Sequence, residues 1–458
     1  MKNRITLLIT SAIAVLFTLV LIAFSLNIAL AAFVGFLFAV MVFFRPFWGL
    51  LVYLALLYIR PQEFIGAFKG QPIMLVVAIV IISTLIVHKT LRKENFTAFK
   101  MPQTLMMIIF LILIPLSHLQ IFYLSAAKDS FMAFLPTFLF FFMMVSLVEN
   151  IEQLKTTYMF LFIITFLLAL NGIYQYHHGT DIAGQTMFQG RIRWIGIFED
   201  PNDLGLTILV FTPFALVNSF SRKINIFKRL LWLLAFFLLI YALYLTSSRG
   251  TFLGLIAIIT YFFIKKFGKL KGAGIGIALF MVILALGPGR LSEISTEEAS
   301  ASGRLDAWAT GLHLFFYRPI LGVGFGNFTE HHHLTAHNSV VLCMAELGLP
   351  GVFAWMFLSV KSFKDMLTIE KFNKSGWMHQ HLDTMQLALV GFFVSAFFLS
   401  RTYNEVYYIV IAISALTGHY MSRELNTNLP FITRKNILMT LIFIAVIILL
   451  IKILLITG

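Results

Sequence analysis

The sequence has little charge and almost no cysteine. Of its 458 residues, 12% are Asp, Glu, Lys or Arg, against about 25% in a soluble globular domain. So few charges cannot coat a water-facing surface. The one cysteine, Cys343, excludes an intrachain disulfide. No repeat of solenoid period, low-complexity tract or soluble linker is present. What fills the chain is apolar: 60% of residues belong to the AVILMFWYC set, with 50 Phe and 19 Met, and the mean hydropathy is +0.91. One core cannot hide that much. A soluble enzyme, a disordered chain and a peripheral membrane protein are therefore excluded. The apolar stretches are continuous rather than alternating, which also excludes a transmembrane β-barrel. An all-α polytopic integral membrane protein remains, each span needing about 20 apolar residues.

The apolar runs fall at 5–25, 27–44, 47–60, 72–88, 103–118, 130–148, 156–175, 203–220, 230–246, 251–264, 272–288, 338–360, 383–400, 406–420 and 437–456. Arg45-Pro46 alone splits the second from the third, so the expected count is 13–15 transmembrane helices. The first run follows Met1-Lys2-Asn3-Arg4 but is long for a signal peptide, and it reads as an uncleaved first span. Four regions divide the chain: N-terminal spans at 1–150, spans with arginine motifs at 151–288, a long outer loop at 289–336, and C-terminal spans at 337–458.

The net charge is +14. In a soluble protein it would suggest nucleic acid; here the cations lie in short loops, and no nucleic-acid partner is expected. Loops 88–103, 221–229, 265–272 and 361–380 each carry four Lys or Arg and fall on one side, which the positive-inside rule makes cytoplasmic. The largest loops of the other side are 176–202 and 289–336, the latter with Arg290, Arg304 and Arg318 against five acids. Within it, Ser302–Tyr317 reads as an amphipathic helix lying on or against the membrane, with Leu305, Trp308, Leu312, Phe315 and Phe316 on one face.

The outer side collects unusual residues: Arg191 and Arg193, then Arg249 in the break Thr246-Ser-Ser-Arg-Gly250, then His337 where the long loop re-enters the membrane. Arginine keeps its charge and presents a planar fork of donors that matches phosphate oxygens. At a membrane boundary such a charge is a functional candidate; the plain alternative for Arg249 is a side chain reaching to headgroups. His337 has the chemistry of a general base, or of a hydrogen-bonded residue at a helix start. His331, His332, His333 and His337 raise a metal reading, since His333 and His337 would share a helical face. With no intervening Glu, no Cys and no third ligand, no metal site is expected. Gly322-Val-Gly-Phe-Gly326 is not a nucleotide loop; its glycines suit a tight turn after Pro319 or close helix approach. Glu346, inside an apolar run, needs a partner. Arg401 and Glu405, at i, i+4, are expected to form a local ion pair.

Taken together, Gly303-Arg-Leu-Asp-Ala-Trp308, Arg318-Pro-Ile-Leu-Gly-Val-Gly-Phe-Gly-Asn-Phe328, His337-Asn-Ser339 and Ala345-Glu-Leu-Gly-Leu-Pro-Gly351 resemble the O-antigen ligase and O-antigen polymerase superfamily. The Ser248-Arg-Gly250 break and Asp200-Pro-Asn202 look like its upstream motifs, and the likeness covers roughly 150–365. The resemblance implies a GT-C-like glycosyltransferase of the bacterial inner membrane. It would move a glycan from undecaprenyl diphosphate to a hydroxyl acceptor, first of all lipid A–core, on the periplasmic face, with no cofactor. Its essential arginines and histidine carry over onto Arg191, Arg249 and His337. Arg193 stands close enough to Arg191 for the two to be exchanged. Arg304, Asn338 and Glu346 would line the substrate site. O-antigen polymerase and protein O-oligosaccharyltransferase share these motifs and differ in acceptor. A transporter or flippase is the alternative of another class, but it would show paired broken helices in related halves, and no such symmetry is present.

Overall fold

The computed structural model describes residues 26–119, 123–286, 294–373 and 376–457. The first apolar run, 5–25, lies outside them, as do Arg290 and Glu293 of the long loop. Fifteen helices carry the architecture of the described residues: α1 (Leu26–Phe44), α2 (Pro46–Ile59), α3 (Ile73–Arg92), α4 (Pro102–Leu119), α5 (Leu124–Leu147), α6 (Ile151–His178), α7 (Pro201–Ser219), α8 (Ile226–Thr246), α9 (Arg249–Phe267), α10 (Lys269–Leu286), α11 (Ile294–Tyr317), α12 (Ser339–Glu370), α13 (Gly376–Ala396), α14 (Glu405–Glu424) and α15 (Arg434–Thr457). The remaining fourteen apolar runs each fall on one of these helices. No strand forms among the described residues; two isolated bridges, Thr180 to Thr186 and Phe188 to Arg191, fold the loop before α7. In hydrocarbon, every backbone N–H must find its carbonyl within the segment, so continuous apolar runs become helices. Eight of the described helices are long and apolar enough to cross a membrane: α3, α4, α5, α6, α8, α9, α12 and α15. The protein is thus an all-α, multi-pass membrane protein.

Side-chain oxygens close several helix starts. Asn150 accepts from the Gln153 N–H, Asp200 from Asn202, Asn225 from Lys228, Asn338 from Val340 and Val341, and Asn404 from Val406. Helix α12 is central, packed by α4, α11, α14 and α15. Its most apolar stretch is 83% buried, against 17% for α15, which leaves most of α15 facing outward.

The two ends of the bundle differ. At one end the lysine-rich loops meet. Lys89 reaches Glu149 at 3.5 Å, Lys155 lies 4.4 Å above the Trp377 ring, Gln380 donates to Ser221 Oγ at 2.6 Å, and Lys265 pairs with Glu370 at 2.9 Å. Glu370, His379 and Asp383 stand near enough together to hold a cation, but the Lys265 ammonium already bridges the two carboxylates. The loops with Arg191, Arg249, His337 and Arg401 meet at the other end.

The long-loop helix is longer than expected. It starts at Ile294 rather than Ser302, ends at Tyr317 before Arg318-Pro319, and packs on α12 and α15. Trp308, Leu312 and Phe315 are buried as the spacing predicts. Phe316 is not: it is 55% exposed, with Lys452 Nζ 4.9 Å above its ring. A 3.6-residue repeat puts Phe315 and Phe316 about 100° apart, so one narrow contact face cannot take both.

Candidate active site

The glycine motif and the broken helix α12 explain each other. Gly348 has φ +65° and ψ −163°, and Pro350 follows it, so the helical hydrogen-bond ladder is interrupted there. The carbonyls freed by the break accept from the glycine loop: Val323 N–H to Ala345 O at 2.8 Å and Gly324 N–H to Glu346 O at 3.1 Å. Leu349 N–H returns a bond to Pro319 O at 2.7 Å. Gly322, Gly324 and Gly326 all have positive φ. At Gly322 a Cβ would stand 2.3 Å from the Glu346 backbone, so only glycine lets the loop approach α12 this closely. The expected tight turn is therefore also a docking strip.

Glu346 finds its partners in this strip. It is 2% exposed; Oε1 accepts from Phe328 N–H at 3.2 Å and Oε2 from the Tyr403 hydroxyl at 2.7 Å. Those bonds make it a brace between the glycine loop and the turn before α14.

The charged residues gather around the entry of α12. Arg249, the first residue of α9, acts electrostatically on Arg304 of α11. Burial and the positive charge of Arg249 push the Arg304 guanidinium below its ordinary value. His337, one residue before the Asn338 cap, has φ +46°. Burial pushes its imidazole below the ordinary histidine value, Arg304, Arg401 and His332 push it further, and Asp200 opposes them. Asn338 Oδ1 caps α12, whereas its Nδ2 is buried without a partner among the described residues, as is Ser248 Oγ.

The two arginines that the sequence could not separate point to different places. Arg191 Nε donates to Thr246 O at 2.7 Å and Nη2 to Asn202 Oδ1 at 2.9 Å, joining the outer loop to the Thr246–Gly250 break. Arg193 Nε donates to Thr186 O at 3.1 Å, and its guanidinium lies 5.5 Å above the Phe188 ring. Arg191 stands beside Asp200; Arg193 stays within its own loop and faces Asp181.

Arg401 corrects an expectation. It does not pair with Glu405 but forms ion pairs with Asp200 and Asp203 at the start of α7. Two carboxylates from another helix outweigh one carboxylate a turn away. Asn404 adds a bond to Asp203 at 2.9 Å. Sequence reasoning noted Asp200-Pro-Asn202 but gave it no role; the signal was two acids, three residues apart, on the side where arginines accumulate. The histidine run is not helical, so the face proposed for His333 and His337 does not form. His332 instead meets Asp306 at 3.1 Å and anchors the loop to α11.

Fold and site thus define a multi-pass α-helical membrane protein with arginines and a histidine converging at one end. Residues 234–356 match the family model described as O-antigen ligase, which bears out the resemblance seen in the motifs. That segment is similar to a family whose members are membrane glycosyltransferase-like enzymes. The matched segment contains Arg249, Arg304, His337 and Glu346; Arg191, Asp200 and Arg401 lie outside it. No curated protein matches the chain.

Proposed function

We propose that the protein is an O-antigen ligase. It transfers a glycan from undecaprenyl diphosphate to lipid A–core at the periplasmic face of the inner membrane. The observation that carries this reading is that the positive charge of Arg249 acts on the half-buried Arg304, whose charge in turn acts on His337. Two half-buried guanidinium groups whose charges oppose each other favour an anionic ligand that both can reach. A diphosphate has the charge and the spread of oxygens to meet two planar forks.

In the reaction, the acceptor hydroxyl oxygen attacks the anomeric carbon of the glycan. The bond from that carbon to the diphosphate oxygen breaks, and undecaprenyl diphosphate leaves with the electron pair. Arg249 and Arg304 stabilise the charge that develops on the leaving oxygen. The hydroxyl proton passes to His337, whose low basicity in this setting keeps it neutral and ready to accept. Arg191 supports the clamp by holding the Thr246–Gly250 break in place. Diphosphate is already a good leaving group, so the reaction needs no cofactor. The lysine-rich end, facing the cytoplasm by the positive-inside rule, supports the periplasmic placement of the arginines.

The test is reconstitution of the purified protein in liposomes with an undecaprenyl-diphosphate glycan and three acceptors: lipid A–core, a growing glycan and a protein. Product on lipid A–core alone supports the ligase. Product on either other acceptor reassigns the protein within the superfamily, and product on none overturns the reading.

A further inference from the structure

The turn between α13 and α14 is stitched to both sides of His337. Thr335 Oγ1 donates to Ser400 Oγ at 2.8 Å, two residues before the histidine. Two residues after it, Ser339 Oγ donates to Leu399 O at 2.6 Å and accepts from Arg401 N–H at 2.8 Å, while Thr402 Oγ1 donates to Ser339 O at 2.7 Å. The Arg401 side chain then crosses to α7, where it pairs with Asp200 and Asp203, and its Nη1 donates back to Ser400 O at 3.1 Å. One residue therefore joins three elements: the start of α7, the turn before α14, and the loop that delivers His337 into α12.

We propose that Arg401 is the positioning residue for His337: it holds the turn that flanks the histidine against α7 and, with Asp200, sets the charge around the imidazole. The inference rests on the role assigned to His337 under the proposed function, but the geometry stands without it.

The left-handed backbone at His337 gives the tie a task. A non-glycine residue at φ +46° sits in the left-handed region that L side chains disfavour, and such a conformation persists only where its surroundings fix it. The bonds from residues 335 and 339 to the 399–402 turn do so. The charges that act on the imidazole come from four elements: Arg304 from α11, Arg401 from the turn, Asp200 from the start of α7, and His332 from its own loop. Arg401 and Asp200 act on it with opposite sign.

That opposition supplies a test that a purely structural tie cannot imitate, because either substitution breaks the same ion pair. The full-length protein in detergent is treated with diethyl pyrocarbonate, which modifies neutral imidazole, and modification of His337 is followed by mass spectrometry across pH 4.5–8. Arg401→Gln removes a positive charge and leaves Asp200, so the midpoint moves up by about one pH unit. Asp200→Asn removes the negative charge and moves the midpoint down. Arg401→Lys returns it towards the wild type. Shifts of the same sign in Arg401→Gln and Asp200→Asn, or no shift in either, overturn the proposal. Because the readout is titration rather than transfer, it stands or falls separately from the ligase reading.

Discussion

Arg249 bears directly on Arg304: its positive charge adds to burial in pushing the Arg304 guanidinium below its ordinary value. A bound anion reverses that balance. Inorganic pyrophosphate is therefore expected to raise the Tm of the detergent-solubilised protein, by more than orthophosphate does. The rise should be lost in both Arg249→Ala and Arg304→Ala. An equal rise in either variant contradicts the shared clamp.

Arg191 and Arg193 separate by their partners. Arg191→Ala breaks the bonds to Thr246 O and Asn202 and should lower transfer at least about 10²-fold, through misplacement of Arg249. Arg193→Ala loses a bond to Thr186 O and a contact with Phe188 in its own loop, and transfer should stay within a few-fold of wild type. Initial rates in liposomes check both; the reverse ranking contradicts the assignment.

The pH dependence follows from His337. Its imidazole sits below the ordinary value of about 6.5. The neutral base therefore predominates at pH 7, and protonation sets in only below that value. The transfer rate should be flat above about pH 6.5 and fall as acid is added. Asn tolerates the left-handed region, so His337→Asn should keep the fold and Tm while losing the base. Retained transfer in that variant removes the histidine from the mechanism.

The glycine strip gives a stability prediction with its own control. Gly322→Ala places a Cβ 2.3 Å from the Glu346 backbone at φ +66° and should cost several kcal/mol. Gly326→Ala meets nothing within 4 Å at φ +76° and should cost only about 1–2 kcal/mol of backbone strain. Thermal unfolding in detergent compares the two, and equal Tm losses contradict the docking of the strip on α12.

The helices were legible because a bilayer reads composition almost directly: apolar length alone marks a span. The sidedness of the lysine loops was legible for a similar reason, and Lys89, Lys155, Lys265 and Ser221 do meet at one end. Partner choice was not legible. The i, i+4 spacing of Arg401 and Glu405 suggested a pair, yet the deciding carboxylates, Asp200 and Asp203, lie about two hundred residues away in the chain. Arg191 and Arg193 are equivalent as letters, and only their partners separate them: Thr246 and Asn202 for the one, Thr186 and Phe188 for the other. Glu346 announced a need for partners, but a backbone N–H and a tyrosine hydroxyl leave no charge pattern to read.

The account rests on Arg249 acting on the leaving diphosphate. The most direct measurement is the initial rate of glycan transfer from undecaprenyl diphosphate to lipid A–core in liposomes, compared between wild type and Arg249→Ala at equal protein and equal Tm. A rate lower by about 10²-fold or more is expected, the scale for losing one stabilising donor at a developing charge. Transfer by Arg249→Ala at the wild-type rate contradicts the clamp.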